Sequence, residues 1–399
     1  MTTNQTVAVP GISSGMVLLL ATATGLIVAN LYYAQPLVGP ISLATGLSPG
    51  AAGLIVTLTQ IGYCLGMIFI VPLGDLLENR RLIVTCLAAT SAALLVAAST
   101  SNAGLFLAAA LCIGLGSVAA QVVVPFASHL APPHMRGQIV GKVVSGLLMG
   151  IMLARPVSSL VTDALNWHAI FVLSAIGTAL LALLLHRKLP QRQPVSAMPY
   201  RALLGSLWQL LKATPVLRRR AAYQACMFGA FSLFWTTVPL VLAAPYFGLS
   251  QTGIAIFALA GVAGAIASPY AGRRADHGKS RSTTGMALAA ALLAFGAPLL
   301  LQGGRAFDLG LLVAASIVLD AGVSASLVTG QRAIFALGEE VRSRLNGLYM
   351  AIFFCGGAIG SSLGAWMYAH HGWHGVLLTG LVFPLIAALV YATEFIGKE

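Results

Sequence analysis

The sequence predicts an all-α integral membrane protein with twelve transmembrane helices in two pseudo-symmetric six-helix bundles. Three observations carry this expectation. Hydrophobic residues make up 58% of the 399 positions and charged residues only 8%, against roughly 45–50% and 25% in ordinary soluble domains. So little charge cannot cover a water-facing exterior. Residues 132–168 and 338–374 can be laid over each other without a gap, 206 positions apart. Arg136/Arg342, Gly141/Gly347, Gly150/Gly356, Trp167/Trp373 and His168/His374 coincide in that register, and Gly116/Gly322 extends it upstream. The third observation is that the basic residues collect on one side once twelve spans are counted.

The spans follow in chain order. In hydrocarbon only helices or closed barrels satisfy the backbone, and these apolar runs are too long and continuous for the strands of a barrel. At about 20 apolar residues per crossing, the runs fall near 16–38, 51–73, 82–100, 104–126, 138–162, 168–186, 221–244, 251–271, 283–301, 308–332, 345–368 and 375–396. The first is not a cleaved signal, because no Lys or Arg precedes it and its length exceeds the roughly 7–15 residues of a signal core. Residues 1–186 form the first bundle and 221–399 the second. Between them, 187–220 carries eight basic and no acidic residues, with prolines at 190, 194, 199 and 215. Within this cytoplasmic linker, Leu203, Leu204, Leu207, Leu210 and Leu211 recur at helical spacing beside Arg201 and Lys212. Such a helix suits the surface of anionic headgroups.

With both termini inside, all but two of the 22 Lys and Arg lie on the cytoplasmic side; Arg305 faces out and Arg155 lies within a span. That is the positive-inside pattern. It assigns the formal charge of +12 to membrane topology rather than to nucleic acid. The five cysteines fall inside spans and read as packing residues, with no metal or cofactor expected. His370, His371 and His374 cluster in an outward loop, but Gly372 interrupts the helix and no carboxylate completes a metal site. No pairing of nucleophile and base appears, so the protein is not expected to be an enzyme.

Duplicated bundles in a membrane are the usual build of a secondary transporter, whose substrate site lies between the repeats. Charges at bilayer depth cost roughly 2.5–3.5 kcal/mol each on insertion scales, so they point to function. Asp320, midway along the tenth span, is the one carboxylate clearly at depth, while Asp163 and Glu394 sit near span ends. Arg155 is the buried cation of the first half.

Two loops carry a resemblance. Val71 to Arg81 reads VPLGDLLENRR at the end of the second span, and Gly272 to Arg281 reads GRRADHGKSR at the matching end of the eighth. Both are similar to the Gly-x-x-x-Asp-Arg-x-Gly-Arg loop of the major facilitator superfamily, and with the twelve spans and basic linker the resemblance covers nearly the whole chain. Val71, Leu76 and Glu78 depart from that loop, and the second copy is one residue short before Lys279. The resemblance implies a latch that closes the cytoplasmic side, built from Asp75 with Arg80 and Arg81, and from Asp276 with Lys279 and Arg281.

The fifth span resembles the superfamily's antiporter signature. Gly141, Gly146, Gly150 and Ala154 are followed by Arg155, Pro156 and Ser159, with Arg155 in place of the expected glycine. Small residues four apart permit close helix approach, Pro156 can bend the helix, and Gly356, Gly360 and Gly364 repeat the design in the eleventh span. The basic residue that proton-coupled exporters carry in the fourth span is missing between Leu111 and Gln121. In this fold the first, fourth, seventh and tenth helices line a central cavity. The resemblance therefore places Asp320 beside the substrate path as the proton-coupling group; Arg155, a departure from the family pattern, is read as the fixed positive charge or as a helix-interface anchor. Candidate substrate-binding residues are Asn30, Tyr32, Gln35, Gln121, Gln224, Trp235 and Gln331, whose polar groups would orient a mostly apolar ligand. The expectation is a monomeric, drug-efflux-like transporter of a bacterial inner membrane. It would export a small organic molecule in exchange for protons. A proton-coupled importer or sugar-efflux protein of the same fold is the alternative, and a membrane sensor without flux is the other class.

Overall fold

The computed structural model describes residues 12–194, 199–265, 270–271, 273–274, 277, 279–338 and 341–396. Among these residues the chain is helical, and nine helices are apolar and long enough to cross a membrane. The longest, Arg342–Glu394, is two rods joined where Gly372 takes φ +62°, a conformation that costs glycine little. With two shorter apolar helices, Ser14–Ala29 and Gln251–Val262, the described helices fit an arrangement of twelve segments.

The first segment is the least regular. Ser13 accepts from the Met16 amide to start Ser14–Ala29, and the helix then loosens through residues 30–34. A short 3-10 turn, Gln35–Leu37, contains Pro36, which has no N–H to continue a helical ladder. Val38–Thr45 resumes the helix, and Gly46 ends it at φ +72°. Elsewhere polar caps start the rods: Glu78 accepts from the Arg80 and Arg81 amides, Asn102 from Leu105, Asn166 from Ala169 and Ser250 from Gly253.

Within each half, glycines set the packing. A methyl on Gly146 would collide with the Ala21 carbonyl, and one on Gly150 with that of Gly25. Gly356 and Gly360 press the eleventh segment onto the Ala225 and Gly229 carbonyls of the seventh in the same way. The repeat extends to Gly116, whose added methyl would lie 2.7 Å from the Cys86 carbonyl, and to Gly322, 2.8 Å from that of Ala287. The two bundles therefore share one packing plan, which is why Gly150/Gly356 and Gly116/Gly322 recur at a single offset.

The halves meet mainly along the second and eleventh segments. Thr57 Oγ1 and Ser361 Oγ lie 2.7 Å apart, the Tyr63 and Phe354 rings are 4.4 Å apart, and the Cys64 and Cys355 Sγ atoms are 3.0 Å apart. Gln60 Nε2 donates to Ser232 Oγ over 2.8 Å, and Thr252 Oγ1 to Asp163 Oδ2 over 2.6 Å. The outer surface between the two ends is studded with exposed Leu18, Leu180, Leu293 and Leu389. Such a surface suits lipid rather than water.

The linker differs from expectation. Its helix, Tyr200–Ala213, turns the leucine stripe onto protein. Leu203 and Leu207 are buried, and Leu207 joins Leu217, Ile334, Leu345, Leu348 and Tyr349 in one cluster. Tyr200 Oη donates to the Phe69 carbonyl of the first half. The stripe covers the ends of three segments of the second bundle, and only its rim, including Trp208, is left to solvent or headgroups.

Candidate functional site

The site is assembled around Arg155 in the fifth segment, Arg136–Ala164. The glycine contacts press that segment onto the first, and Ser158 Oγ donates to the Tyr33 carbonyl freed by the irregular stretch. The loosened backbone brings in Gln35, whose Oε1 accepts from Arg155 Nε over 2.8 Å. Arg155 is 3% exposed. Its Cζ sits 4.3 Å from the Trp235 ring centroid, 4.9 Å from that of Phe231 and 5.4 Å from that of Tyr32. Each desolvated contact of this kind stabilises a cation by about 2 kcal/mol, so three rings take over part of the work of water.

Asp320 comes from the opposite half. Trp235 Nε1 donates to its Oδ1 over 2.8 Å while the same indole faces Arg155. Gly261 of the eighth segment lets the backbone approach both, since a methyl there would lie 2.7 Å from Asp320 Oδ2. No direct ion pair joins Arg155 to Asp320 among the described residues; Trp235 is the bridge. Arg155 Nη2 and Gln35 Nε2 are buried and have no hydrogen-bond partner among the described residues.

Tyr32, Arg155, Phe231, Gly261 and Asp320 border a cavity of about 100 Å³, whose further walls include Leu148, Ile151, Met152, Phe228, Val323, Leu327 and Phe353. Every one of those wall residues lies between the charged layer and the end of the molecule that carries the basic loops. Toward the other end, Pro36, Val238, Pro239, Leu242, Ile254 and Phe257 pack more closely. The cavity thus belongs to the basic half of the bilayer depth, with the opposite side closed over it. A wider recess at that opposite end is edged by Tyr246 and Asp308. There Tyr246 donates to Asp308 over 2.5 Å, which pushes the phenol above its ordinary range. Among the described residues, no buried cation borders that recess.

Of the expected substrate-binding residues, Tyr32, Gln35 and Trp235 converge with Arg155 and Asp320. The other four lie in helix contacts and do not line the cavity. Asn30 accepts from Ser174 over 2.5 Å, Gln121 donates to Tyr63 Oη over 2.9 Å, and Gln331 donates to Asn346 over 3.2 Å. Gln224 is buried against the Val323 carbonyl at 3.5 Å. Polar side chains in apolar helices seek partners, and each of these has one in a neighbouring helix, although Asn30 Nδ2 and Gln224 Oε1 are buried without one among the described residues. Residue pattern gave no hint of Phe228, Phe231, Phe353 or Gly261; an aromatic on an apolar helix looks the same whether it meets lipid, core or cavity.

The latch loops also rearrange the expected partners. The charges acting on Asp75 are those of Arg192, Arg344 and His129, not Arg80 and Arg81. Arg80 instead donates to the Leu189 carbonyl at the start of the linker, and the Arg80 and Arg81 amides are tied to Glu78. Asp75 and Arg344 border one small pocket with Leu203 and Leu207, so the first loop faces the second half across the linker helix. Arg281 pairs with Glu394 at 3.5 Å, and Lys279 precedes the ninth segment, Ser280–Leu300. Asp276 lies outside the described residues.

Comparison with known proteins agrees with this architecture. The family model described as Major Facilitator Superfamily matches residues 18–311. The chain is 40% identical to the "Uncharacterized transporter YgaY" of Escherichia coli O157:H7, over 97% of this chain and 98% of that one. It is 32% identical to the "Probable transporter SCO4007" of Streptomyces coelicolor, over 90% of this chain and 82% of the relative. A crystal structure of a point mutant of the nucleoside transporter NupG superposes with a TM-score of 0.77 at 16% identity, covering 95% of this chain and 99% of that chain; this likeness speaks to fold alone.

Proposed function

The chain belongs to the Major Facilitator Superfamily, and from that premise we propose that it is a proton-coupled secondary transporter of a small organic molecule. The observation that carries the proposal is the Arg155–Trp235–Asp320 chain, in which a cation from one half and a carboxylate from the other meet beside a cavity between the bundles. Ionisable groups at such depth are costly unless they serve a passing ion or cargo. Asp320 takes up and releases the proton, Arg155 supplies the fixed charge, and Tyr32, Gln35 and Trp235 position the cargo. The two halves rock about this layer. Closer approach of Asp75 to Arg344 holds the basic side shut in the alternate state, and Asp276, Lys279 and Arg281 serve the equivalent loop.

On this reading the protein works as a monomer in a bacterial inner membrane, with both termini and the basic loops in the cytoplasm. Export in exchange for protons fits the glycine plan of the fifth segment. Movement of cargo and proton in the same direction is the second reading, favoured by the unoccupied donors of Arg155 and Gln35. Proteoliposomes loaded with a cargo picked by ligand-stabilisation screening, under an imposed pH gradient, decide between them. Exchange supports export, co-directional flux supports the second reading, and absence of any flux would leave a sensor.

A further inference from the structure

We infer that the cargo is a small monocarboxylic acid carried as its anion, bound to Arg155 and Gln35, and that it crosses together with a proton on Asp320. This rests on the proton-coupled reading above and chooses its co-directional form.

Two donors in the charged layer lack acceptors. Gln35 has committed its carbonyl oxygen to Arg155 Nε, which leaves Gln35 Nε2 and Arg155 Nη2 buried with hydrogen atoms and no acceptor among the described residues. Arg155 borders the cavity, and Gln35, not itself in the wall, adjoins it through the Nε bond, so two neighbouring groups that can only donate call for a ligand with two acceptor oxygens. A carboxylate can offer one oxygen to the guanidinium and one to the amide, and its charge answers that of Arg155 through charge-assisted hydrogen bonds. Asp320 does not fill this role: its Oδ1 accepts from Trp235 Nε1 at the edge of the indole, and no ion pair joins the carboxylate to Arg155 among the described residues. The remaining walls near the guanidinium are Tyr32, Phe228, Phe231 and Phe353, which suit an apolar or aromatic body on the acid.

Charge then dictates coupling. With Asp320 ionised and the cavity empty, the layer sums to zero. A proton alone leaves it at plus one, an anion alone at minus one, and the two together restore zero. When the cavity closes, the layer loses contact with water, and an uncompensated charge there is strongly disfavoured. Only the empty and the doubly loaded forms can therefore change sides, and anion and proton must travel together. The titratable groups acting on Asp320 among the described residues are Arg155 from the fifth segment and Tyr32 from the first. The seventh and eighth segments offer Trp235 and Gly261, neither of which titrates.

The test uses purified wild-type protein with three probes of one shape: benzoate, benzamide and benzylammonium. Thermal stability and tryptophan fluorescence report binding, and a pH-indicator dye in weak buffer reports protons. Benzoate should bind at least tenfold more tightly than either relative and should draw in about one proton per molecule. Its affinity should fall by up to about tenfold per pH unit where Asp320 ionises. Asp320→Asn, which keeps the acceptor for Trp235, should bind benzoate at least as tightly, with no proton uptake and a flat pH profile. Arg155→Gln should lose the preference for benzoate, and Arg155→Lys should keep it at reduced affinity. Equal binding of benzamide or benzylammonium, benzoate binding without proton uptake, or no benzoate effect at millimolar concentration would each overturn the inference. Proton-coupled flux of a neutral or cationic cargo that depends on Asp320 would leave the broader reading standing while this one fails. Flux indifferent to pH and to Asp320→Asn would sink both.

Discussion

Equivalent positions in the two bundles carry the same packing and different chemistry. At the repeat offset of 206, Arg155 corresponds to Ser361 and Asp320 to Gly114. Ser361 faces the other half as Arg155 does, but it hydrogen-bonds Thr57 and closes the second segment against the eleventh. Gly114 is pressed onto the Thr59 carbonyl, a spot where no side chain fits. Gln35 and Trp235 each lie ten residues beyond a carbonyl, of Gly25 and Ala225, that meets a repeat glycine. Both contact Arg155. The duplication thus supplies a frame that aims matching positions at the centre, and each half fills those positions differently. One gives the cation and its amide; the other gives the carboxylate and its indole bridge.

The comparison breaks first at the glycines. Gly150→Leu and Gly356→Leu should be similarly damaging, each costing about 3 kcal/mol or more through overpacking against a carbonyl. Thermal unfolding of the two purified variants checks this, and damage from only one would mean that the halves do not share a packing plan. Next comes the bridge. Trp235→Phe keeps the ring over Arg155 but removes the donor to Asp320, at an expected cost of about 1.5–3 kcal/mol for a hydrogen bond to a charged acceptor. The same melting assay, with the proton-uptake readout beside it, should show proton stoichiometry disturbed as well as stability. Ser361→Ala removes a neutral hydrogen bond and should cost about 0.5–1.5 kcal/mol with coupling intact, which separates a frame residue from its charged counterpart. Smallest is the pair Gly141→Ala and Gly347→Ala. Neither site has an atom within 4 Å of the added methyl, so helix propensity alone should stabilise each by up to about 1 kcal/mol. Packing gives no account of why these two glycines recur.

Much of the frame was readable from residue order because its causes are one-dimensional. Apolar runs, the one-sided arginines and glycines at a fixed offset all survive without coordinates. Arg155 and Asp320 stood out for the same reason, as charges inside greasy runs. Their meeting through Trp235 did not, since it depends on how far the first segment loosens around Pro36 and how closely Gly261 lets the eighth approach. Polar side chains were readable as groups needing partners, not as groups with particular ones. Asn30, Gln121, Gln224 and Gln331 chose neighbouring helices. The leucine stripe of 200–213 was equally ambiguous, because a headgroup layer and a bundle end present the same apolar demand. Asp75 feels Arg192 and Arg344 because the charges around a loop carboxylate are set by tertiary approach, not by adjacency to Arg80 and Arg81.

The central claim is that cargo and proton meet at one layer shared by unequal halves. The most direct measurement is cargo-driven proton movement in proteoliposomes holding an entrapped pH dye, compared between wild type and Asp320→Asn, with cargo counterflow as the control for folding. The wild type should move protons with cargo, while Asp320→Asn should exchange cargo yet leave the dye unchanged. Proton movement in Asp320→Asn equal to that of the wild type would contradict the account.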